Sequence, residues 1–228
     1  MSGDCDFRAP GWLARHVGVA VLLIIVGSLL FGAMAYELKT NGPLISTDTA
    51  LASQLHATAE STLSLTNETM TFGFFLGKEV IEIIGVLLLV YFVHKHFWPE
   101  VGMILIGWSG GTVIWFFITR YFDRMRPAQQ LGIAVRYPSF PSGHTMQSVL
   151  CFGMLAYFII PRMPSLFWKW VIAIAAVVTL LFIGYSRLYE AGHYLTDLIA
   201  GYALGLAWGG LVYSVMEIFV IRRRSQRV

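Results

Sequence analysis

Three short polar clusters hold most of the chemistry this sequence could do. The first runs Arg120-Tyr-Phe-Asp-Arg124-Met-Arg126-Pro127 and the second Pro138-Ser-Phe-Pro141-Ser142-Gly143-His144. The third is Ser186-Arg187-Leu-Tyr-Glu190-Ala-Gly192-His193-Tyr-Leu-Thr196-Asp197. His193 and Asp197 stand four residues apart, so on a helix they share one face. A carboxylate there can accept from one ring nitrogen, fix the tautomer and leave the other nitrogen more nucleophilic. Arginines offset the charge on the oxygens of a phosphoryl group in flight, where most of the catalysis of that reaction lies. Two histidines, one backed by an acid, among several arginines therefore describe phosphoryl transfer. One histidine can attack phosphorus while the other protonates the leaving oxygen. Two histidines and an aspartate are also ordinary zinc ligands. Several arginines would repel a zinc ion unless a phosphate lay between, which ranks the metal-free reading first.

Each cluster has a local logic. Pro127 biases Arg126 away from the helical region, so this arginine leaves its helix and can point across the helix ends. Ser142-Gly143-His144 lies where an apolar run begins. A helix N-terminus there offers free N–H groups and a positive dipole end to an anion. Gly143 lets the backbone approach closely, and Ser142 can serve as an N-cap or as a phosphate donor.

The elements that must position these clusters are membrane spans. Residues of the set AVILMFWYC make up 57% of the 228, against roughly 45–50% in globular domains even with Gly counted. Charged residues are 13%, about half the usual share, and mean hydropathy is +0.67. So little charge could not cover a soluble surface, and disordered, collagen-like and coiled-coil readings fall with it. A net charge of +3 gives no reason to expect nucleic acid.

A helical span needs about 20 mostly apolar residues. Val17–Tyr36, Thr71–Val93, Val101–Thr119, Thr145–Ile160, Trp170–Tyr185 and Leu195–Val220 qualify. The expectation is an all-α, six-transmembrane-helix bundle, with residues 1–228 as one domain. Arg8, Arg15, an apolar run and Ala33-Met34-Ala35 resemble a signal peptide, but the run is long for one and reads as an uncleaved anchor. Between the first two spans, Asn41–Asn67 carries Leu51, Leu55, Ala59 and Leu63 at helical spacing. It reads as an amphipathic helix on the outer surface, with Pro43 and the run Ser46-Thr47-Asp48 as a turn leading to an N-cap. Cys5 and Cys151 fall at different depths, so no disulfide is expected.

Lysine and arginine in short loops orient the bundle. With the N-terminus inside, the inner side holds Arg8, Arg15, Lys95, Arg162, Lys169, Arg222, Arg223, Arg224 and Arg227. The outer side holds Lys39, Arg120, Arg124, Arg126, Arg136 and Arg187, and all but Lys39 lie in or beside the candidate phosphate segments. Both termini are then cytoplasmic, and all three clusters lie together at the extracytoplasmic ends of spans three to six. Arg124 and Arg136 also suit headgroup anchoring, and His94 and His96 read as interfacial residues. Lys78 and Glu82, with Glu79 between, form an i,i+4 pair inside the second span. That is more readily a self-neutralising pair than a substrate or relay group, although ionisable residues in spans are functional candidates. Glu190, three before His193, either tunes the histidine or faces water.

The three clusters resemble the motifs of the type 2 phosphatidic acid phosphatases, or lipid phosphate phosphatases, which share a catalytic core with vanadium haloperoxidases. The family runs Lys-x6-Arg-Pro, then Pro-Ser-Gly-His, then Ser-Arg-x5-His-x3-Asp. The second motif is complete as Pro141-Ser142-Gly143-His144, and the third as Ser186-Arg187, His193 and Asp197. The resemblance implies a metal- and cofactor-independent membrane enzyme acting on lipid phosphates or pyrophosphates through a phosphohistidine. On matching positions, His193 is the nucleophile, Asp197 its orienting partner, and His144 the acid for the leaving alcohol and then the base for water. Arg126, Ser142, Gly143 and Arg187 hold the phosphate. The first motif departs from the pattern, because Thr119 stands where the family has lysine. Arg120 is the expected replacement and Arg124 the runner-up.

The rival classes are a transporter, which would place its ligand near the midplane, and a non-catalytic lipid-binding protein on the same scaffold. Candidate substrates are phosphatidate, phosphatidylglycerol phosphate and an isoprenoid phosphate or pyrophosphate such as the undecaprenyl carrier. Membrane lipids are the other expected partners, in a plasma or bacterial inner membrane. Oligomeric state is not readable from sequence.

Overall fold

The computed structural model describes residues 17–61, 64–127 and 137–225, all helix and connecting loop, with no strand among them. Among the described residues, eight α-helices follow in order: α1 Val17–Thr40, α2 Pro43–Ser61, α3 Ser64–Phe75, α4 Ile81–His94, α5 Trp98–Phe122, α6 Gly143–Ile159, α7 Leu166–Tyr189 and α8 Leu195–Ser225. A π-helical turn, Leu76–Val80, joins α3 to α4, and a 3₁₀ turn, Ile160–Arg162, follows α6.

Among the described residues, five helices are long and apolar enough to cross a membrane: Gly18–Thr40, Trp98–Phe122, Gly143–Arg162, Leu166–Tyr189 and Leu195–Met216. They coincide with five of the six expected spans. The second, Thr71–Val93, is instead divided by the π turn, leaving Ile81–His94 as a shorter apolar helix. Hydropathy reports only that this stretch is apolar, and a π turn widens the helix without changing that.

The molecule is apolar on the outside. Leu29, Leu87, Phe117 and Leu181 are each at least 60% exposed, far more apolar surface than a soluble protein shows. Such side chains meet lipid tails, which makes this an integral membrane protein.

α8 is the axis of the bundle, and α1, α5 and α6 all pack on it. Small residues permit the close approach that packing in lipid relies on. A Cβ at Gly27 would lie 2.5 Å from the Ala203 carbonyl oxygen, locking α1 against α8. A Cβ at Gly201 would lie 2.4 Å from the Ser142 carbonyl oxygen. That contact holds the starts of α6 and α8 together, and Ser142 N–H donates to the Asp197 carbonyl at 3.0 Å.

The outer segment is helical, but its start differs from expectation. α2 begins at Pro43, so Ser46-Thr47-Asp48 lies within its first two turns. The acceptor at its N-terminus is Glu37 of α1, whose carboxylate takes the Leu44 N–H at 3.2 Å. The buried face carries Asp48 and Ala52, with Leu51 and Leu55 half-buried beside them. Leu63 lies outside the described residues.

Candidate active site

Four helix ends meet at one end of the bundle: the C-termini of α5 and α7 and the N-termini of α6 and α8. α5 stops where Asp123 turns left-handed (φ 45°, ψ 41°), its N–H still bonded to the Thr119 carbonyl. Aspartate tolerates that conformation better than most side chains. The chain then runs across the helix ends, and Ser139 N–H donates to the Arg124 carbonyl at 2.8 Å. Arg126 has therefore left the helix, as Pro127 requires.

His193 sits in the turn between α7 and α8 at 1% exposure. Its Nδ1 lies 2.8 Å from the Ser139 carbonyl oxygen. A carbonyl only accepts, so Nδ1 carries the proton and Nε2 the lone pair. Arg126 Nη1 donates to that Nε2 at 3.2 Å and to the Gly192 carbonyl at 2.8 Å. Arg126 Nε is anchored on the Tyr137 carbonyl at 2.8 Å. The His144 ring stands across from His193, with centroids 6.1 Å apart and planes at 68°. Burial pushes the His193 pKa below the usual histidine value, the Asp197 carboxylate opposing this and Arg126 adding to it. The ring is thus neutral at physiological pH. Burial also lowers the Arg126 pKa, which leaves a guanidinium still charged.

Asp197 stands behind the histidine without being its hydrogen-bond partner. Its Oδ2 is 3.7 Å from Nδ1 and accepts the Tyr194 N–H at 2.9 Å. Its Oδ1 accepts from Arg124 Nη1 at 2.6 Å. The acceptor that sets the tautomer is thus a main-chain carbonyl, with the carboxylate acting on the ring through its charge.

Arg124 is held between carboxylates in this arrangement. Its side chain is 9% exposed and spans two carboxylates, with Nη2 on Asp48 at 3.0 Å. Its guanidinium also stacks on Tyr194, 4.0 Å from the ring centroid. Asp48 comes from α2, is 2% exposed, and accepts the Thr196 N–H at 3.1 Å as well as the Thr196 hydroxyl. Sequence reading did not assign it. One signal was present: Asp48 lies three residues before Leu51, on the apolar stripe of its helix, where a carboxylate needs a partner.

The other expected ligands divide. Ser142 is wholly buried and makes no side-chain cap, and its Oγ has no hydrogen-bond partner among the described residues. Gly143 opens α6, and a Cβ there would meet the Trp115 ring at 3.0 Å. Arg187 is 4% exposed and pairs with Glu190, whose pKa burial raises against the pull of that arginine. Arg120 is exposed, its guanidinium 5.3 Å from the Phe116 ring and 6.0 Å from that of Tyr137. Tyr137 lines the cavity, so Arg120 stands one ring away from it. Thr119 is wholly buried. Arg136 and the side chain of Lys78 lie outside the described residues.

A cavity of about 340 Å³ opens at this site, lined by Arg126, Tyr137, Gly143 and His144. It continues along α4, α5 and α6 past Gln147 to Glu82 and Trp108. Among the described residues, no group of His, Cys, Asp and Glu is placed to hold a metal ion.

Membrane helices that end in an arginine-flanked pair of facing histidines, one buried and one lining the cavity, define a polytopic membrane protein built to engage an anion at its helix ends. The chain belongs to the PAP2 superfamily, whose signature matches residues 112–220. It is 30% identical over 144 residues to phosphatidylglycerophosphatase B of Bacillus subtilis, covering 61% of this chain and 70% of that protein. The structure is similar to that of a transmembrane PAP2-type phosphatidylglycerolphosphate phosphatase from Bacillus subtilis. The TM-score is 0.65 at 26% identity, over 85% of this chain and 93% of that one.

Proposed function

We propose that this chain is a lipid phosphate phosphatase that works through a phosphohistidine on His193. The observation that carries the reading is the unprotonated Nε2, which receives an Arg126 N–H at 3.2 Å while His144 faces it across the cavity. A phosphoryl group entering between the rings takes over the Arg126 donor. The Nε2 lone pair then forms the N–P bond as the P–O ester bond breaks, and His144 gives its proton to the leaving oxygen. His144 next takes a proton from water as that water attacks phosphorus and frees Nε2. Arg126, Arg187, the unused Ser142 hydroxyl and the N–H groups at the start of α6 offset charge on the equatorial oxygens. Asp197 offsets the positive charge of the phosphorylated ring.

Three finer readings go with this one. Counting α3, the π turn and α4 as one interrupted span gives six crossings, which keeps both termini on the cytoplasmic side. By the lysine and arginine distribution the site then faces outward. The Bacillus relatives are named for phosphatidylglycerophosphate, which makes phosphatidylglycerol phosphate the first substrate to try, ahead of phosphatidate and isoprenoid pyrophosphates. Arg120 takes the place of the family lysine by swinging off Tyr137 onto a phosphate oxygen.

The test is phosphate release by purified protein in detergent from each of these lipids, with rapid quenching to trap an acid-labile phosphoenzyme. Release that survives EDTA, is inhibited by vanadate and is lost with the phosphoenzyme in His193→Ala is the expected result. A chain that frees no phosphate from any of them is not this enzyme, and strict loss with EDTA restored by zinc would return the metal reading.

A further inference from the structure

Asp48 is a buried charge that the reaction above leaves unused. It belongs to the outer helix α2, far in sequence from every motif, yet it reaches the N-terminus of α8 and the guanidinium of Arg124. Arg124 in turn gives Nη1 to Asp197 at 2.6 Å and to the Thr196 hydroxyl at 2.8 Å. These side chains are at most 9% exposed. We propose that Asp48 is a positioning residue for the nucleophile: it shares Arg124 with Asp197, so that the trio keeps a net negative charge beside His193.

This role is one of charge and rests on the phosphohistidine reading. When Nε2 bonds to phosphorus, Nδ1 keeps its proton on the Ser139 carbonyl, so the ring gains a positive charge. That charge develops beside Arg126 and with Arg187 nearby, at a buried position where uncompensated charge is costly. Asp197 is the carboxylate within 3.7 Å of the ring. Were Arg124 its partner alone, the pair would be neutral and would offer the ring little. Asp48 supplies a second carboxylate to the same guanidinium, so two negative charges meet one positive. The surplus remains on the side facing His193. Asp48 also fixes the guanidinium, because Nη2 is held on Asp48 while Nη1 is held on Asp197. Arg124 then cannot turn both nitrogens onto Asp197 or swing towards the phosphate.

A purely structural role, capping α8 through the Thr196 N–H, is the competing account. The two part company when the charge is removed, and then rebalanced, while the cap is kept. Full-length protein in detergent would be assayed with phosphatidylglycerol phosphate, following kcat, KM and phosphoenzyme yield. Asp48→Asn, which keeps an oxygen able to cap, is expected to lower kcat about tenfold or more with KM nearly unchanged. Asp48→Asn with Arg124→Gln removes one charge of each sign and restores the balance. It is expected to turn over about threefold faster than Asp48→Asn alone. A double variant no faster than the single, or a loss confined to KM, overturns the proposal. If Asp48→Asn does not fold, Asp48→Glu decides: the longer acid is expected to keep about a third of turnover, and a loss beyond about tenfold overturns the charge argument. The unsubstituted protein is the control that separates the two readings. If it forms no His193-dependent phosphoenzyme, the proposed function itself fails. If it forms one and Asp48→Asn is silent, only the role of Asp48 fails.

Discussion

The two halves of this molecule reach the same site by different routes. From α5 onward, every reactive group arrives in a dense run: Arg126 beside its proline, His144 at a helix start, and His193 four residues before Asp197. Up to α4, the contribution is sparse: one buried carboxylate on α2 and the wall of a cavity on α4. The first half must deliver Asp48 across a long stretch of chain to Thr196 and Arg124. The later half needs only local turns, because α6 and α8 are already clamped at Gly201. The groups proposed to touch phosphate are thus encoded locally. The groups that set their charge are encoded by tertiary packing.

Removing the imidazole of His193, the proposed nucleophile, should cost the most. His193→Ala is expected to abolish both turnover and phosphoenzyme, whereas His144→Ala still accumulates some intermediate with an activated substrate whose leaving group needs no proton. Quench-flow on the two variants separates these roles, and near-normal turnover in His193→Ala would falsify the assignment.

Next in size is Arg126. It is pinned by main-chain carbonyls and aimed at Nε2, and Arg126→Lys keeps the charge but loses the fork. A fall in kcat of about 10²-fold or more is expected, the scale of one preorganised donor to developing charge. Steady-state kinetics on folded protein measures it.

A smaller effect, about tenfold, is expected for Arg120→Ala, seen mainly in KM because the side chain must leave Tyr137 to reach substrate. Arg124→Ala acts through Asp197 instead and shows in kcat. If both variants act on KM alone, Arg124 belongs with the phosphate ligands after all.

The gentlest test is pH. Burial depresses the His193 pKa, so the acid limb of kcat/KM is expected below the ordinary histidine value of about 6.5. Stability follows the same sign. Below that value the unfolded chain binds a proton that the folded ring refuses. The contribution is therefore complete above about pH 6.5 and lost as pH falls towards the depressed value. Thermal unfolding of the protein and of His193→Gln across this range should converge at the acid end.

Much of this was legible beforehand, for reasons that differ by residue. Five spans could be read because length and apolarity are properties of composition alone. The end of α5 before Arg126 followed from Pro127, a local constraint. The π turn was not legible, since it changes the winding of a helix without changing the residues hydropathy counts. The pairing of Arg124 is not legible either, because its spacing to Arg126 says nothing of the two carboxylates that hold it. The start of α2 lies earlier in the chain than the Ser46–Asp48 run suggests, because Glu37 of α1 accepts the Leu44 N–H and the Gly42 carbonyl that of Ile45. Ser142 could be an N-cap or a donor by sequence, and only its buried, unused hydroxyl favours the second.

The carbonyl of Ser139 has a consequence for genetics. A group that holds the nucleophile's tautomer but belongs to the peptide bond has no codon of its own. Ser139→Ala removes a hydroxyl that donates to the Met125 carbonyl at 3.4 Å and leaves the acceptor in place, while larger side chains fail at this wholly buried position for reasons of space and not of the oxygen. Such a group can be lost only by rerouting the chain, through Pro138 or through the Arg124 carbonyl that takes the Ser139 N–H. Sensitivity at those neighbours, with Ser139→Ala tolerated, is how a working atom without a side chain would announce itself.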